Sequence, residues 1–249
     1  MRTLLAMPSR CRTLWVTGTD TGCGKTVVTA ALALALRKRG VDVGVMKPVA
    51  SGLVEVEGGL ASPDVRFYRA FLGLADPDEL VNPIAYAPAT APSVAARLEH
   101  RPVDLMLIRR AFTELCSRHE WLLVEGIGGV LVPLSDALTA ADLAAAMKLP
   151  AVLVARAGLG TLNHTFLSVS ALRAREIPLL GIVLTPTSRH PDLAELHNPE
   201  EIRIHTGISP IQLPGVPGVS VDLGEGDGLP QLVDGLASLV DVLMGGAAA

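Results

Sequence analysis

Residues 14–26 read Leu14-Trp15-Val16-Thr17-Gly18-Thr19-Asp20-Thr21-Gly22-Cys23-Gly24-Lys25-Thr26. A short apolar strand runs straight into a glycine-rich turn, and Lys25 opens a helix through Arg39 in which Val28, Ala31, Leu32, Ala35 and Leu36 recur at three and four before Gly40 ends it. Gly22 and Gly24 tolerate positive φ, so the turn's amides can converge on phosphate oxygens. In that setting Lys25 supplies charge to β- and γ-phosphates, Thr26 offers a hydroxyl to Mg²⁺, and the helix dipole favours an anion. The usual first glycine of such a loop falls on Thr19, with Gly18 one place earlier. An ordinary glycine-rich turn with a solvated lysine is the plainer alternative, but Gly-Lys-Thr between a strand and a helix points to a nucleotide site.

Working outward, strands and helices alternate. Strands are expected at Val41–Met46, Trp121–Val124, Ala151–Ala155, Leu179–Leu184 and Pro210–Leu213. Helices are expected at Pro63–Leu72, Ser93–Glu99, Asp104–His119, from Thr139 with Asp142 as a capping box through Met147, and at Leu162–Arg175, Pro199–Thr206 and Leu229–Met244. Ser51 to Pro63 lacks periodicity and reads as a loop. Continuous apolar strands between helices imply a parallel sheet with helices on both faces, an α/β fold of the P-loop NTPase type. Nothing linker-like divides the chain, so residues 1–249 are expected to form a single domain, with 1–13 a flexible N-terminal extension.

Composition narrows the function. The 249 residues carry 21 basic against 25 acidic groups, a net charge of −4, which disfavours an electrostatic nucleic-acid binder. Aromatics are only 3% against 49% hydrophobic residues, so the core is aliphatic and offers no platform for stacking bases. Cys11, Cys23 and Cys116 are odd in number and widely spaced, unlike a disulfide framework or a zinc site. No apolar run reaches the ~20 residues of a membrane span. A cytoplasmic protein without membrane contact is expected.

Ligands of a parallel sheet lie beyond the carboxyl ends of its strands. Lys47 ends the second strand and Glu125 the Trp121 strand, with Gly126, Ile127 and Gly128 behind it leaving room. Glu125 suits a Mg²⁺ contact opposite Thr26, because the ion takes one or two carboxylates beside phosphate oxygens and water. Asp64 reads equally as a second carboxylate or as a helix cap after Pro63. Lys47 taken alone reads as a solvated strand-end lysine. None of the six histidines has metal-ligand spacing.

Four blocks in order resemble the dethiobiotin synthetase family. They are Val16–Thr21 running into Gly24-Lys25-Thr26, then Lys47-Pro48-Val49-Ala50-Ser51-Gly52, then Leu123–Gly126 with Gly128-Gly129, and finally Gly158–His164. The resemblance covers roughly residues 14 to 185 and implies carboxylation of 7,8-diaminopelargonate with CO₂, ATP and Mg²⁺. A carbamate attacks the γ-phosphate, and the second amine then closes the ring of dethiobiotin, releasing ADP and phosphate. By this resemblance Lys25 and Lys47 are catalytic, Thr26, Asp64 and Glu125 hold the metal, and Thr21 and Ser51 bind the diamine or its carbamate. The nucleotide would be held by Thr21, Gly22, Cys23, Gly24, Lys25, Thr26 and Val27, by Asp64, by Glu125, Gly126, Ile127 and Gly128, and by Thr185 and Pro217. Gly160, Thr161, Leu162 and Asn163 open a helix that, in the family, binds the substrate carboxylate from the partner subunit, which implies a homodimer.

The chain departs from the family at Thr185-Pro186, where many members carry Asn-Asp and the Asn reads adenine. Relaxed choice among nucleoside triphosphates is the expectation. Cys23 reads as a small filler residue in the loop. The main rival is a P-loop switch such as a partition or site-selection ATPase, whose loop carries a lysine near its start, where this chain has Asp20.

Overall fold

In the computed structural model, residues 11–188, 190–221 and 224–245 are described. The flexibility expected of residues 1–10 lies outside them, but the proposed extension ends too late: Arg12 and Thr13 already belong to the first strand. In chain order the elements begin with β1 (Arg12–Gly18), α1 (Lys25–Lys38) and β2 (Val43–Met46). Next come β3 (Val49–Ser51), β4 (Val54–Val56), β5 (Gly59–Ala61), α2 (Pro63–Leu72), α3 (Asp78–Val81) and β6 (Ile84–Tyr86). Then follow α4 (Pro92–Leu98), α5 (Leu105–Arg118), β7 (Trp121–Glu125), β8 (Pro133–Ser135), β9 (Leu138–Thr139) and α6 (Ala140–Ala146). The remainder is β10 (Ala151–Arg156), α7 (Thr161–Arg173), β11 (Leu179–Thr185), α8 (Leu193–Thr206), β12 (Ile211–Gln212), α9 (Leu229–Gly235) and α10 (Ala237–Gly245).

Six strands form one sheet in the order β12-β11-β10-β1-β7-β2, every neighbouring pair parallel. Side chains alternate across it, and both faces are covered. Leu14 and Val16 enter one apolar cluster with α1 and the C-terminal helices, while Trp15 enters the other with α5, α6 and α7. Burial on both sides is why β7 and β10 are apolar up to their last residue. The carboxyl ends of β1, β2, β7, β10 and β11 share one edge, so the phosphate loop, Lys47, Glu125, Arg156 and Thr185 gather there.

Four expectations need correction. The stretch 51–63 is not all loop: β4 and β5 pair antiparallel around Gly58, whose φ of 97° suits a tight turn. α8 starts at Leu193 rather than Pro199, because the Asp192 carboxylate caps it through Glu195 N at 2.8 Å, leaving Pro199 inside the helix. The final helix is two, α9 and α10, divided at Leu236. The short elements β3, α3, β6, β8 and β9 were not expected at all. The capping box at Thr139 and Asp142 is present, and Asp104 caps α5.

Candidate active site

The turn between β1 and α1 wraps Lys25. Gly22 and Gly24 have φ of 70° and 89°, and a Cβ on Gly24 would come within 2.9 Å of Thr185 Cγ2. Two constraints therefore favour glycine at position 24: handedness and the closeness of β11. Gly24 caps α1 without a side chain, and no acidic residue stands in the first turn. The first amides of a four-turn helix are thus left to an anion. Lys25 is buried, its ammonium donating to Asp20 O at 2.8 Å. Cys23 is fully buried under the loop, as a filler should be, with its carbonyl accepting from Thr185 Oγ1 at 3.1 Å. The Asp20 carboxylate accepts from Thr21 N at 2.7 Å and pairs with Arg156 at 2.9 Å, tying the loop to the end of β10.

Beside the loop lies a buried polar cluster. Lys47 Nζ is 2.7 Å from Glu125 Oε1, 2.7 Å from Asp64 Oδ2 and 3.2 Å from Gly126 O. Thr26 Oγ1 lies 2.8 Å from Asp64 Oδ1 and 3.0 Å from Glu125 Oε1, close enough to bond either carboxylate. Tyr68 OH donates to Glu125 Oε2. Two open questions close here. Lys47 is not a solvated cation, since its side chain is 5% exposed. Asp64 is not the cap of α2, whose N-cap is Ser62; it sits in the first turn and turns inward.

The protonation states follow from this packing. Burial alone would lower the Lys47 pKa, but Asp64 and Glu125 overcome it and push the ammonium above its ordinary value. Burial would raise Asp64, yet the Lys47 charge and hydrogen bond hold its carboxyl below the usual range. Glu125 is raised: burial outweighs Lys47, and the Asp64 charge adds to it. Tyr68 is raised well above the normal phenol by burial and by the Glu125 charge, so it remains a hydroxyl donor.

A cleft of about 760 Å³ opens over this cluster, lined by Thr21, Gly22, Lys25, Thr26, Val27, Lys47, Ser51, Asp64, Glu125, Ile127 and Gly128. Ser51 is tied to Thr90 O at 2.7 Å on its wall. A second cavity of about 900 Å³ shares Gly22, Gly24 and Val27 and continues to Thr185, Pro186 and Pro217. The two together hold every expected phosphate-loop and strand-end residue except Cys23, which is buried, and Gly126, whose carbonyl accepts from Lys47. The segment Gly160 to Asn163 lines neither. It begins α7 at the surface, with Asn163 exposed and the preceding Leu159 93% exposed. Asn198 anchors it from α8 by donating to Ala157 O at 2.7 Å. Sequence reasoning missed Tyr68 and Arg156. Tyr68 stands four residues after Asp64 on a helix, a spacing that could have revealed it.

The donor set suits a hard divalent cation: two carboxylates and a hydroxyl within hydrogen-bonding reach, beside a loop shaped for phosphates. Among the described residues no group of three or more His, Cys, Asp or Glu forms an all-protein metal cage. Also among the described residues, no helix is long and apolar enough to cross a membrane.

Residues 12–217 match a family model described as an AAA domain. The chain is 48% identical to the ATP-dependent dethiobiotin synthetase of Anaeromyxobacter sp. (strain Fw109-5), across 80% of this chain and 88% of that protein. The same-named protein of Methanococcus vannielii is 40% identical across 69% and 77%, and that of Bacillus velezensis 38% across 77% and 81%. Among solved structures, a chain of the MinC:MinD cell division complex of Aquifex aeolicus aligns with a TM-score of 0.54 at 14% identity, covering 92% of this chain and 95% of that one. The septum site-determining protein MinD with Mg-ADP from Pyrococcus horikoshii OT3 gives 0.51 at 18%, covering 94% and 98%. At such identities the likeness is one of fold alone.

Proposed function

The chain belongs to the ATP-dependent dethiobiotin synthetase family, and from that premise we propose how its residues carboxylate 7,8-diaminopelargonate and close the ring of dethiobiotin at the cost of one ATP. The observation that carries the reading is the buried Lys47 between Glu125 and Asp64, within reach of Thr26 at the mouth of the phosphate loop.

One substrate amine takes up CO₂ as a carbamate, whose oxygen attacks the γ-phosphate and displaces ADP; the second amine then attacks the carbamoyl carbon of the resulting mixed anhydride and expels phosphate. Negative charge builds on the carbamate and on the transferred phosphoryl group, and catalysis lies in holding them in line under fixed cations. Lys25 and Lys47 are those cations. Both are buried, so their charge acts through little water. Lys47 bonds the two carboxylates in this structure and must turn toward the reacting groups as they arrive. Thr26, Asp64 and Glu125 would hold Mg²⁺, which supplies charge neutralisation at the phosphates. Thr21 and Ser51 face the diamine.

The second cavity takes the nucleoside. Thr185 Oγ1 lies within hydrogen-bonding reach of Cys23 O and Ala155 O, at 3.1 and 3.2 Å, and Thr187 Oγ1 bonds the Glu195 carboxylate. With these hydroxyls engaged by the protein and Pro186 beside them, base selection is relaxed. A homodimer is the working unit: the N-terminal end of α7, from Gly160 to Asn163, is presented to the substrate carboxylate of the neighbouring subunit, with the Thr161 amide held by Gly158 O at 3.2 Å and the helix dipole favouring an anion there. Residues 1–249 act as one domain in the cytoplasm.

The test is ADP release from purified protein with Mg-ATP and bicarbonate, with and without 7,8-diaminopelargonate. Diamine-dependent release is expected. Turnover indifferent to the diamine would refute the reading and favour a nucleotide switch.

A further inference from the structure

Tyr68 takes no part in the reaction just described, yet it is fully buried with its hydroxyl bonded to Glu125 Oε2. It sits one helical turn beyond Asp64 on α2, so both side chains leave the helix on one face and meet the same carboxylate cluster. The two oxygens of Glu125 are held differently. Oε1 faces Lys47 at 2.7 Å and Thr26 at 3.0 Å, while Oε2 meets Tyr68. The terminal torsion of a glutamate is broad and close to two-fold, so packing alone does not fix which way the carboxylate plane lies. A phenol donor at Oε2 does fix it. Phenylalanine would fill the same core volume, and a buried hydroxyl is costly unless it has a partner; here it has one.

We propose that Tyr68 is a positioning residue for the divalent-cation site, its hydroxyl locking the Glu125 carboxylate with Oε1 turned toward Thr26 and Asp64. The proposal rests on the reading that Thr26, Asp64 and Glu125 hold the ion. Groups that orient metal ligands typically govern affinity by 10–100-fold.

The test measures Mn²⁺ binding to the protein–ADP complex by electron paramagnetic resonance, in wild type, Tyr68→Phe, Glu125→Gln and the double variant. Tyr68→Phe keeps the ring and its packing, and a melting curve on each sample reports any change of fold. Tyr68→Phe is expected to weaken Mn²⁺ about tenfold and to leave metal-free ADP affinity within about twofold. In the Glu125→Gln background the same substitution should change Mn²⁺ affinity by less than about twofold, because the hydroxyl acts through that carboxylate. Unchanged Mn²⁺ affinity in Tyr68→Phe, or an equal loss in both backgrounds, would overturn the proposal. Wild-type assays separate the two levels: no dethiobiotin from wild type defeats the functional reading, whereas an active wild type with an indifferent Tyr68→Phe defeats this inference alone.

Discussion

Replacing Lys47 by alanine probes the site most severely. The ammonium lies 2.7 Å from each of two carboxylates, with side-chain exposures of 5% for Lys47, 1% for Glu125 and 24% for Asp64. Breaking a buried ion pair by removing one partner costs about 3–5 kcal/mol, because the other charge is left uncompensated. Asp64 admits some water, which places this case near the low end, about 3 kcal/mol. For a chain of this size each kcal/mol moves the melting temperature by roughly 2–4 °C, so Lys47→Ala should melt roughly 6–12 °C lower. The deficit should also depend on pH. Glu125 already has a raised pKa, and the variant loses the Lys47 charge that holds both carboxyls down. A carboxyl whose folded pKa exceeds its unfolded value binds more protons when folded, so its stability falls as pH rises through that window. The gap between variant and wild type should therefore narrow between about pH 8 and about pH 5. Thermal unfolding by circular dichroism at both pH values measures it. Turnover should fall about 10²–10³-fold, the typical loss of one charge-stabilising donor, while metal-free ADP still binds. A melting temperature unchanged at about pH 8, or a gap independent of pH, would refute the reasoning that this lysine neutralises the pair.

Three further outcomes follow from the same geometry. Gly24→Ala forces an L-residue to φ of 89° and a Cβ to within 2.9 Å of Thr185 Cγ2. It should weaken ADP at least about tenfold, given about 1–2 kcal/mol for left-handed backbone alone; calorimetric titration with an unchanged Kd would show that the loop tolerates the change. Because the Thr185 and Thr187 hydroxyls are engaged by the protein, KM values for ATP, GTP and CTP should agree within about tenfold, or ~1.4 kcal/mol; a strong preference for ATP in steady-state kinetics would mean that the base is read elsewhere. In wild type, Asp64 is held below its unfolded pKa of about 3.9. Its stabilisation is present at neutral pH and lost as pH falls through the folded value, while Lys47, raised above its unfolded pKa, keeps its contribution until pH rises beyond the ordinary lysine range. An acid titration followed by circular dichroism should therefore show Asp64→Asn with a shallower loss of stability below about pH 4 than wild type.

The main architecture was legible because it rests on local chemistry. Gly22, Gly24, Lys25 and Thr26 announce a phosphate loop wherever they fall between a strand and a helix, and β7 and β10 are apolar up to their terminal Glu125 and Arg156 because both faces are buried. α2 was placed residue for residue by Pro63 and the apolar spacing that follows. What escaped depends on partners distant in sequence. β3 and β6 are three residues each and exist by pairing with one another across thirty-odd positions. The hairpin of β4 and β5 lies on an exposed surface, where alternation is weak. Pro199 suggested a helix start, but the Asp192 cap and the buried Glu195 and Asn198 carry α8 past it. At the site, Lys47 and Asp64 looked ambiguous because burial cannot be read at a strand end or in a first turn. Only the meeting of α2 with β2 and β7 buries Lys47 and turns Asp64 inward. Tyr68 was hidden for the same reason: an aromatic on an amphipathic helix reads as core until its hydroxyl is seen against Glu125.

The central claim is that this cleft joins inorganic carbon to a diamine with ATP. The most direct measurement incubates the purified protein with Mg-ATP, ¹³C-bicarbonate and 7,8-diaminopelargonate and takes the mass of the product. Dethiobiotin carrying one ¹³C, formed in step with ADP and slowed about 10²–10³-fold in Lys47→Ala, is the predicted result. Unlabelled diamine recovered intact while ATP is hydrolysed would contradict the account.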